Sequence, residues 1–396
     1  MKIVSLSEVS EIVNGGTPKT EVPEYWDGNI LWITPKDLGK ITTKKTSTTQ
    51  RMITSEGLAN SSAKLIPKDS VIMSTRAPIG HIVINDKPMS FNQGCKGLIP
   101  KSNIDVNYLY YFLKFSKQKL NDLGTGTTFP ELSNKALSSV TLPLYSIDEQ
   151  RQIVAKLDAA FEKINQAIEL GKRGQLYVRA FYKSKLESIF LDQNESKEFL
   201  IQDVCTIKGG KRLPKGSNLI KTKTAWPYIR VSDFDHKGGV DQNKIQYLDE
   251  STQKLIERYI ITDGDVFLSI AGSIGITGIV PAELNGANLT ENACRLIPNQ
   301  KIDKEYLYYF TLTKSFLEQA AGATRQTAQP KLALIRIKNI RLQLPDLNTQ
   351  AVSVTKLKKL STSVESLELH MVKKIDYLRD LKQSMLNDAF SENAVK

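Results

Sequence analysis

The sequence predicts an α+β chain written twice. Two similar mixed α/β globular domains are expected, joined by two long antiparallel helices that form a coiled coil, with a pseudo-two-fold internal repeat. Three observations carry this expectation. The letters YLYYF stand at 108–112 and return at 306–310. Laid against itself, the chain matches over nearly its whole length, the mark of a duplicated architecture. The last part of each copy matches without insertion or deletion and carries an apolar stripe.

Taken in chain order, Leu6, Val9 and Ile12 recur as Ile201, Val204 and Ile207. Each trio is followed by a glycine pair, Gly15 and Gly16 or Gly209 and Gly210, and then by Pro18-Lys19 or Pro214-Lys215. ITPKDL from Ile33 answers IRVSDF from Ile229, and SVIMSTRAPIG from Ser70 answers DVFLSIAGSIG from Asp265. The runs NILWIT, SVIMS, GHIVI and SSVTLPL, with PYIRV, DVFLSI, TGIVP and NIRLQLP, are β-prone and bounded by Gly, Pro and Asp, so they read as short strands. The YLYYF segment reads as a helix, capped by Asp105 or Asp303 and ended by Gly124 or Gly322. Tyr108, Leu109, Tyr111 and Phe112 share a face and are expected to pack a core rather than stack on bases. Pro143 and Pro345 are expected to end the strands before the long helices, whose polar first turns are DEQRQ and DLNTQ.

In the helical quarter, Gln150, Val154, Lys156, Leu157, Tyr177, Arg179, Ser184, Leu186 and Phe190 recur as Gln350, Val354, Lys356, Leu357, Tyr377, Arg379, Ser384, Leu386 and Phe390. A segment that tolerates no length change behaves as one continuous helix. Leu157, Phe161, Ile164 and Ile168, and again Leu357, Leu360, Val364, Leu367 and Met371, follow the alternating three-and-four spacing of a coiled-coil seam. About forty-five residues give a rod of roughly 65 Å, and a rod with one narrow apolar stripe needs a partner. The two helices are therefore expected to pack on each other, with a globular unit at each end. Gly171 and Gly174 interrupt the first stripe and predict a bend or a close helix contact. The expected divisions are 1–145 and 194–345 for the globular domains, and 146–193 and 346–392 for the helices.

Composition limits the chemistry. The 396 residues carry 54 Lys and Arg against 42 Asp and Glu, a balance of +12 that favours a polyanionic partner, nucleic acid first. No run is long and apolar enough for a membrane span, and the start lacks a secretion signal, so a cytoplasmic location is expected. Cys95, Cys205 and Cys294, like His81, His236 and His370, are scattered, so neither a disulfide framework nor a metal site is expected. Phosphate-binding glycine loops, the H-E-x-x-H motif and a methyltransferase motif are all missing, and GTGTTF at Gly124 follows a helix instead of opening one. No catalytic residue is assigned.

The copies share strands and helices but differ in their loops: STRAPIGH against SIAGSIGI, and GTGTTFPEL against GATRQTAQPKL. Two matched frames thus present two different polar surfaces. Arg76, Thr127 and Thr128 in the first copy, and Arg230, Arg325, Gln326 and Gln329 in the second, are the candidates for base contact. Lys19, Lys36, Lys211, Lys215 and Lys331 suit phosphates, where a point charge fixes position without reading sequence. A coiled-coil scaffold that joins proteins, and a self-contained DNA methyltransferase or nuclease, are the alternatives. The divergent loops speak against the scaffold, and the missing motifs against the enzyme.

LPLYSIDEQRQIVAKLDAAFEKI resembles the entry into the central helix of the specificity subunit of Type I restriction-modification systems, and LKQSMLNDAFS resembles its C-terminal ending. The domain, helix, domain, helix order extends the resemblance over essentially the full chain. It implies two target recognition domains on double-stranded DNA, each reading half of a split site. The helices would act as a ruler and dock two modification subunits, with restriction subunits completing the complex. It implies also that S-adenosylmethionine, ATP and Mg²⁺ serve those partners and that this chain binds no cofactor. The assembled complex would be a site-specific endonuclease and adenine methyltransferase.

Overall fold

The computed structural model describes residues 2–76, 78–126, 130–191, 196–235, 237–322 and 331–391. The chain divides into two compact units, Met1–Lys172 with Val372–Lys396, and Arg173–Met371. The division falls inside the two long helices, because each half of a helix packs on the globular part nearest to it.

In the first unit a five-stranded sheet orders Ser10–Asn14, Cys95–Pro100, Val71–Ser74, Ile82–Asn85 and Lys45–Thr46, and a three-stranded sheet orders Arg51–Ile53, Trp26–Ile33 and Met89–Phe91. In the second unit one sheet orders Cys205–Gly209, Ala293–Pro298, Val266–Ser269 and Thr277–Ile279, and another orders Gln246–Tyr247, Pro227–Ile229, Ala287–Leu289 and Ile260–Ile261. Each unit also closes its ends with an antiparallel ribbon in matching register, Lys2 opposite Leu144 and Lys197 opposite Leu344. Pro143 lies within the first ribbon, opposite Ile3, instead of ending its strand. A two-stranded ribbon leaves open edges where a missing N–H is tolerated. Pro345 does follow its strand, Arg341–Leu344.

Helix α1, Val106–Phe115, contains the first YLYYF, and its five residues are all buried. Asp105 caps it by accepting from the backbone N–H groups of Asn107 and Tyr108 at 2.8 and 3.1 Å. The Tyr108 hydroxyl donates to the Pro143 carbonyl at 2.8 Å, which ties the helix to the ribbon.

Helix α2 is Ile147–Leu191 and runs unbroken. Helix α3, Lys304–Thr311, carries the second YLYYF and is capped in the same way by Asp303. Helix α4 is Leu347–Phe390. In the first unit Ile164 and Ile168 of α2 cluster with Ile375 of α4, while Val154 and Leu157, nearer the start of α2, share the domain core with Leu386 and Phe390. That order is antiparallel. The second unit repeats it, with Leu186 and Phe190 beside Val354 and Leu357.

Most of the expected seam is inward: Leu157, Ile164, Ile168 and Leu357 are buried, and Phe161, Leu360, Val364 and Met371 are half-buried. Leu367 is a correction. Its side chain is 48% exposed, and Glu368 takes the inward position, receiving the Arg179 guanidinium at 2.6 Å. Between Leu357 and Ile375 the stripe runs through 361, 364, 368 and 371 as well as 360. A mean step of 3.5 fits either register, so spacing alone did not choose between them. At the glycines the close contact, rather than a break, is what occurs: a Cβ on Gly171 would lie 3.1 Å from Ile375 Cγ1, and one on Gly174 3.1 Å from Met371 Cε.

The joint between each long helix and its domain is a fully buried glutamine. Gln150 accepts from the Asp105 N–H at 2.8 Å and donates to the carbonyls of Asn103 and Tyr145 at 3.1 and 2.9 Å. Gln350 accepts from Asp303 and donates to Lys301 and Pro345, each at 2.9 Å. Cys95, Cys205 and Cys294 are buried, and desolvation pushes all three thiols up from their ordinary values.

Candidate nucleic-acid interface

In each unit the variable loops are stitched together by backbone hydrogen bonds at one end of the sheet that contains Cys95–Pro100 or Ala293–Pro298. In the first unit Gly15 N–H donates to the Cys95 carbonyl at 3.3 Å and Gly16 N–H to Phe91 at 3.0 Å, fastening the glycine loop to the 92–94 turn. Thr75 N–H reaches Gly94 at 2.8 Å and Leu132 N–H reaches Thr75 at 3.0 Å, bringing in two more loops. The second unit uses the same stitches. Gly210 donates to Ala293 at 3.0 Å, Lys211 to Leu289 at 2.8 Å, Ala271 to Asn292 at 3.2 Å and Leu332 to Ile270 at 2.8 Å. A Cβ on Gly15 would collide with the Asn92 carbonyl, and one on Gly210 with the Thr290 carbonyl, so both positions need glycine for close approach. These bonds pair Gly15 with Gly210 and Gly16 with Lys211, one residue off the pairing that the glycine letters suggest.

The frames match while the side chains do not. Arg76, exposed beside this cluster, forms an ion pair with Glu131 at 2.9 Å. Lys36 is exposed on the short helix Pro35–Leu38, whose Pro35 abuts Gly94. Lys19 is exposed, and its carbonyl accepts from Trp26 Nε1 at 3.2 Å, which holds the glycine loop against the smaller sheet. The Arg51 guanidinium stacks on that same indole at 3.5 Å.

In the second unit Lys211 is exposed with its ammonium 5.4 Å from the centre of the Tyr259 ring. Lys215 is exposed, and Lys331 is exposed and bridged to Ala271. Arg230 sits elsewhere in its chemistry. Its guanidinium binds the buried Asp233 carboxylate at 3.0 and 2.8 Å, Gln246 at 2.6 Å and the Lys244 carbonyl at 2.8 Å. Those contacts engage nearly all its donors inside the domain, so it fastens a turn instead of facing outward. Thr34 and Asp37 fasten the equivalent turn of the first unit. Thr127, Thr128, Arg325, Gln326 and Gln329 lie outside the described residues.

Four residues that the loop sequences alone did not single out stand at the centre of the stitching. Thr17 donates to Gln93 in the first unit, and Arg212 Nε donates to Glu291 at 2.7 Å in the second. Partial burial of Glu291 works against its charge, but Arg212 and Thr290 outweigh it and hold the carboxyl below the usual range. The sequence signal for Gln93 and Glu291 is the polar turn, FNQG and LTEN, preceding the LIP strand in each copy, and that for Thr17 and Arg212 is the divergent loop after the glycine pair, TPKTEVPEYWDG against RLPKGSNLIKTKTAW. Among the described residues no group of His, Cys, Asp or Glu is arranged to hold a metal, and no helix is long and apolar enough to cross a membrane.

A duplicated α+β frame beside long paired helices thus presents two unlike polar loop surfaces. The chain belongs to the family of the Type I restriction modification DNA specificity domain, whose model matches residues 1–171 and again 193–375. The chain is 26% identical over 87% of its length to the MjaIX specificity subunit of Methanocaldococcus jannaschii, covering 82% of that protein. It is 24% identical over 98% of its length to the EcoKI specificity subunit of Escherichia coli K12, covering 88% of it. In fold it matches a chain from a study of complex assembly and conformational transition in a type I R-M system, at a TM-score of 0.80 and 19% identity over 98% of this chain and 97% of that one. It also matches the HsdS subunit of Thermoanaerobacter tengcongensis, at a TM-score of 0.60 and 18% identity over 99% and 97% of the two chains.

Proposed function

We propose that this chain is the non-catalytic, DNA-reading subunit of a type I restriction-modification enzyme, and that its two loop clusters read the two unlike halves of a split, asymmetric site. One observation carries the reading: the same stitched loop frame is built twice, with Arg, Lys, Gln and Glu placed differently in each. Exposed lysines around the clusters fix phosphates, and the net charge of +12 draws the duplex in. Methyl transfer with S-adenosylmethionine, and ATP- and Mg²⁺-dependent cleavage, then belong to partner subunits. The long helices supply a docking surface for those partners. Tyr177 and Tyr377 occupy equivalent places in the repeat and are both exposed, with Leu176 and Phe181 exposed near the first and Val372 near the second. A surface repeated in this way fits two copies of one modification subunit.

The test is a methylome from cells that express this chain with its cognate partners. Methylated adenines should fall in two different short sequences flanking an unread spacer. A continuous or palindromic methylated sequence would overturn the reading.

A further inference from the structure

The stitching hydrogen bonds make Thr17 the structural equivalent of Arg212, and Gln93 the equivalent of Glu291, because each pair sits one residue beyond or inside matched backbone contacts. Both pairs are in side-chain contact across the glycine loop and the turn, but the roles are exchanged. In the first unit the longer, exposed member is Gln93 on the turn, and the Thr17 hydroxyl props its Oε1, leaving the Nε2 amide without a partner among the described residues. In the second unit the longer member is Arg212 on the loop. Its side chain is 79% exposed, and Glu291, at 24%, props its Nε, leaving the terminal nitrogens without a hydrogen bond among the described residues.

A long side chain that is anchored at one atom and free at its tip loses less rotamer entropy on binding than one that is free throughout. The free tips differ in chemistry. The Gln93 amide presents its Nε2 donor beside Oε1, whose second lone pair can still accept, the complement of adenine N7 and N6 in the major groove. A guanidinium tip presents two parallel donors, the complement of guanine O6 and N7. Resting on the DNA-reading proposal above, we propose that Gln93 and Arg212 are specificity-determining residues at one shared point of the two frames, Gln93 reading an adenine in one half-site and Arg212 a guanine in the other, with Thr17 and Glu291 as their positioning residues.

The experiment compares methylomes of the whole complex carrying wild-type chain, Gln93→Ala, Arg212→Ala, Arg212→Lys or Glu291→Gln. Gln93→Ala should relax selection at one A·T pair of one half-sequence, and Arg212→Ala at one G·C pair of the other. Discrimination at that pair should fall about 10- to 100-fold, with every other read position unchanged. Arg212→Lys should lose the same discrimination because an ammonium has no fork, and Glu291→Gln should weaken it at that pair alone. The inference is overturned if the variants keep wild-type selectivity at every position, or if the relaxed pair is of the other type. Should a variant methylate nothing, binding of the purified complex to duplexes changed one base pair at a time decides by the same criterion. A wild-type methylome without a split site would sink the functional reading itself and is distinguishable from these outcomes.

Discussion

Gln150 and Gln350 show how much a single side chain can hold. Each is fully buried, and each satisfies one backbone N–H and two carbonyls at the point where a long helix meets its domain. Removing such a partner leaves buried polar groups unpaired, each costing about 1–3 kcal/mol. Gln150→Leu and Gln350→Leu are each expected to destabilise their own unit by about 2–4 kcal/mol, read by urea unfolding, with little change for Gln166→Leu on the exposed face of the same helix. That both glutamines recur was visible in the sequence, but their burial was not, since a glutamine in a polar first turn looks like a solvent-facing polar residue. Arg230 shows the converse. Its charge marked it as a reader of bases, and only the fold reveals that Asp233, three residues on, turns it inward.

For the helices, the distinction between seam and surface is quantitative. Ile375→Ala removes a buried branched side chain and is expected to cost about 2–4 kcal/mol, whereas Leu367→Ser, at an exposed position, should stay within about 0.5 kcal/mol; thermal melts of both variants check this. Gly174→Ala should stabilise by up to about 1 kcal/mol, because the flexible end of Met371 can yield to the new methyl group. Gly171→Ala should gain less, because the branched Ile375 is stiffer. The existence and length of both helices were legible because no insertion separates the copies. The register was not, because leucines at 360, 367 and 369 advertise more apolar positions than one seam can bury. Among the strands, Cys95–Pro100 and Ala293–Pro298 lie inside their sheets but did not stand out as β-prone. Lys96 and Gly97, or Arg295, break their apolar run, and only pairing on both sides explains the strand.

At the scale of the whole chain, the proposed function would have the two helices set the spacer between the half-sequences. Inserting four residues into both lengthens each by about 6 Å, and the expected result is a methylome with a changed spacer and unchanged half-sequences. Changed half-sequences would refute the ruler. The duplicated plan could be read directly from repeated letters, whereas the loop clusters could not, since the turn at Gln93 and the loop at Thr17 meet only after the intervening chain has folded into two sheets. The three cysteines carry a last consequence. Cys95 belongs to the first unit, Cys205 and Cys294 to the second, and all are sealed in apolar surroundings. Alkylation by a thiol reagent therefore requires the surrounding core to open. Labelling followed by peptide mass analysis turns these side chains into separate clocks, Cys95 timing the breathing of the first unit and Cys205 and Cys294 that of the second.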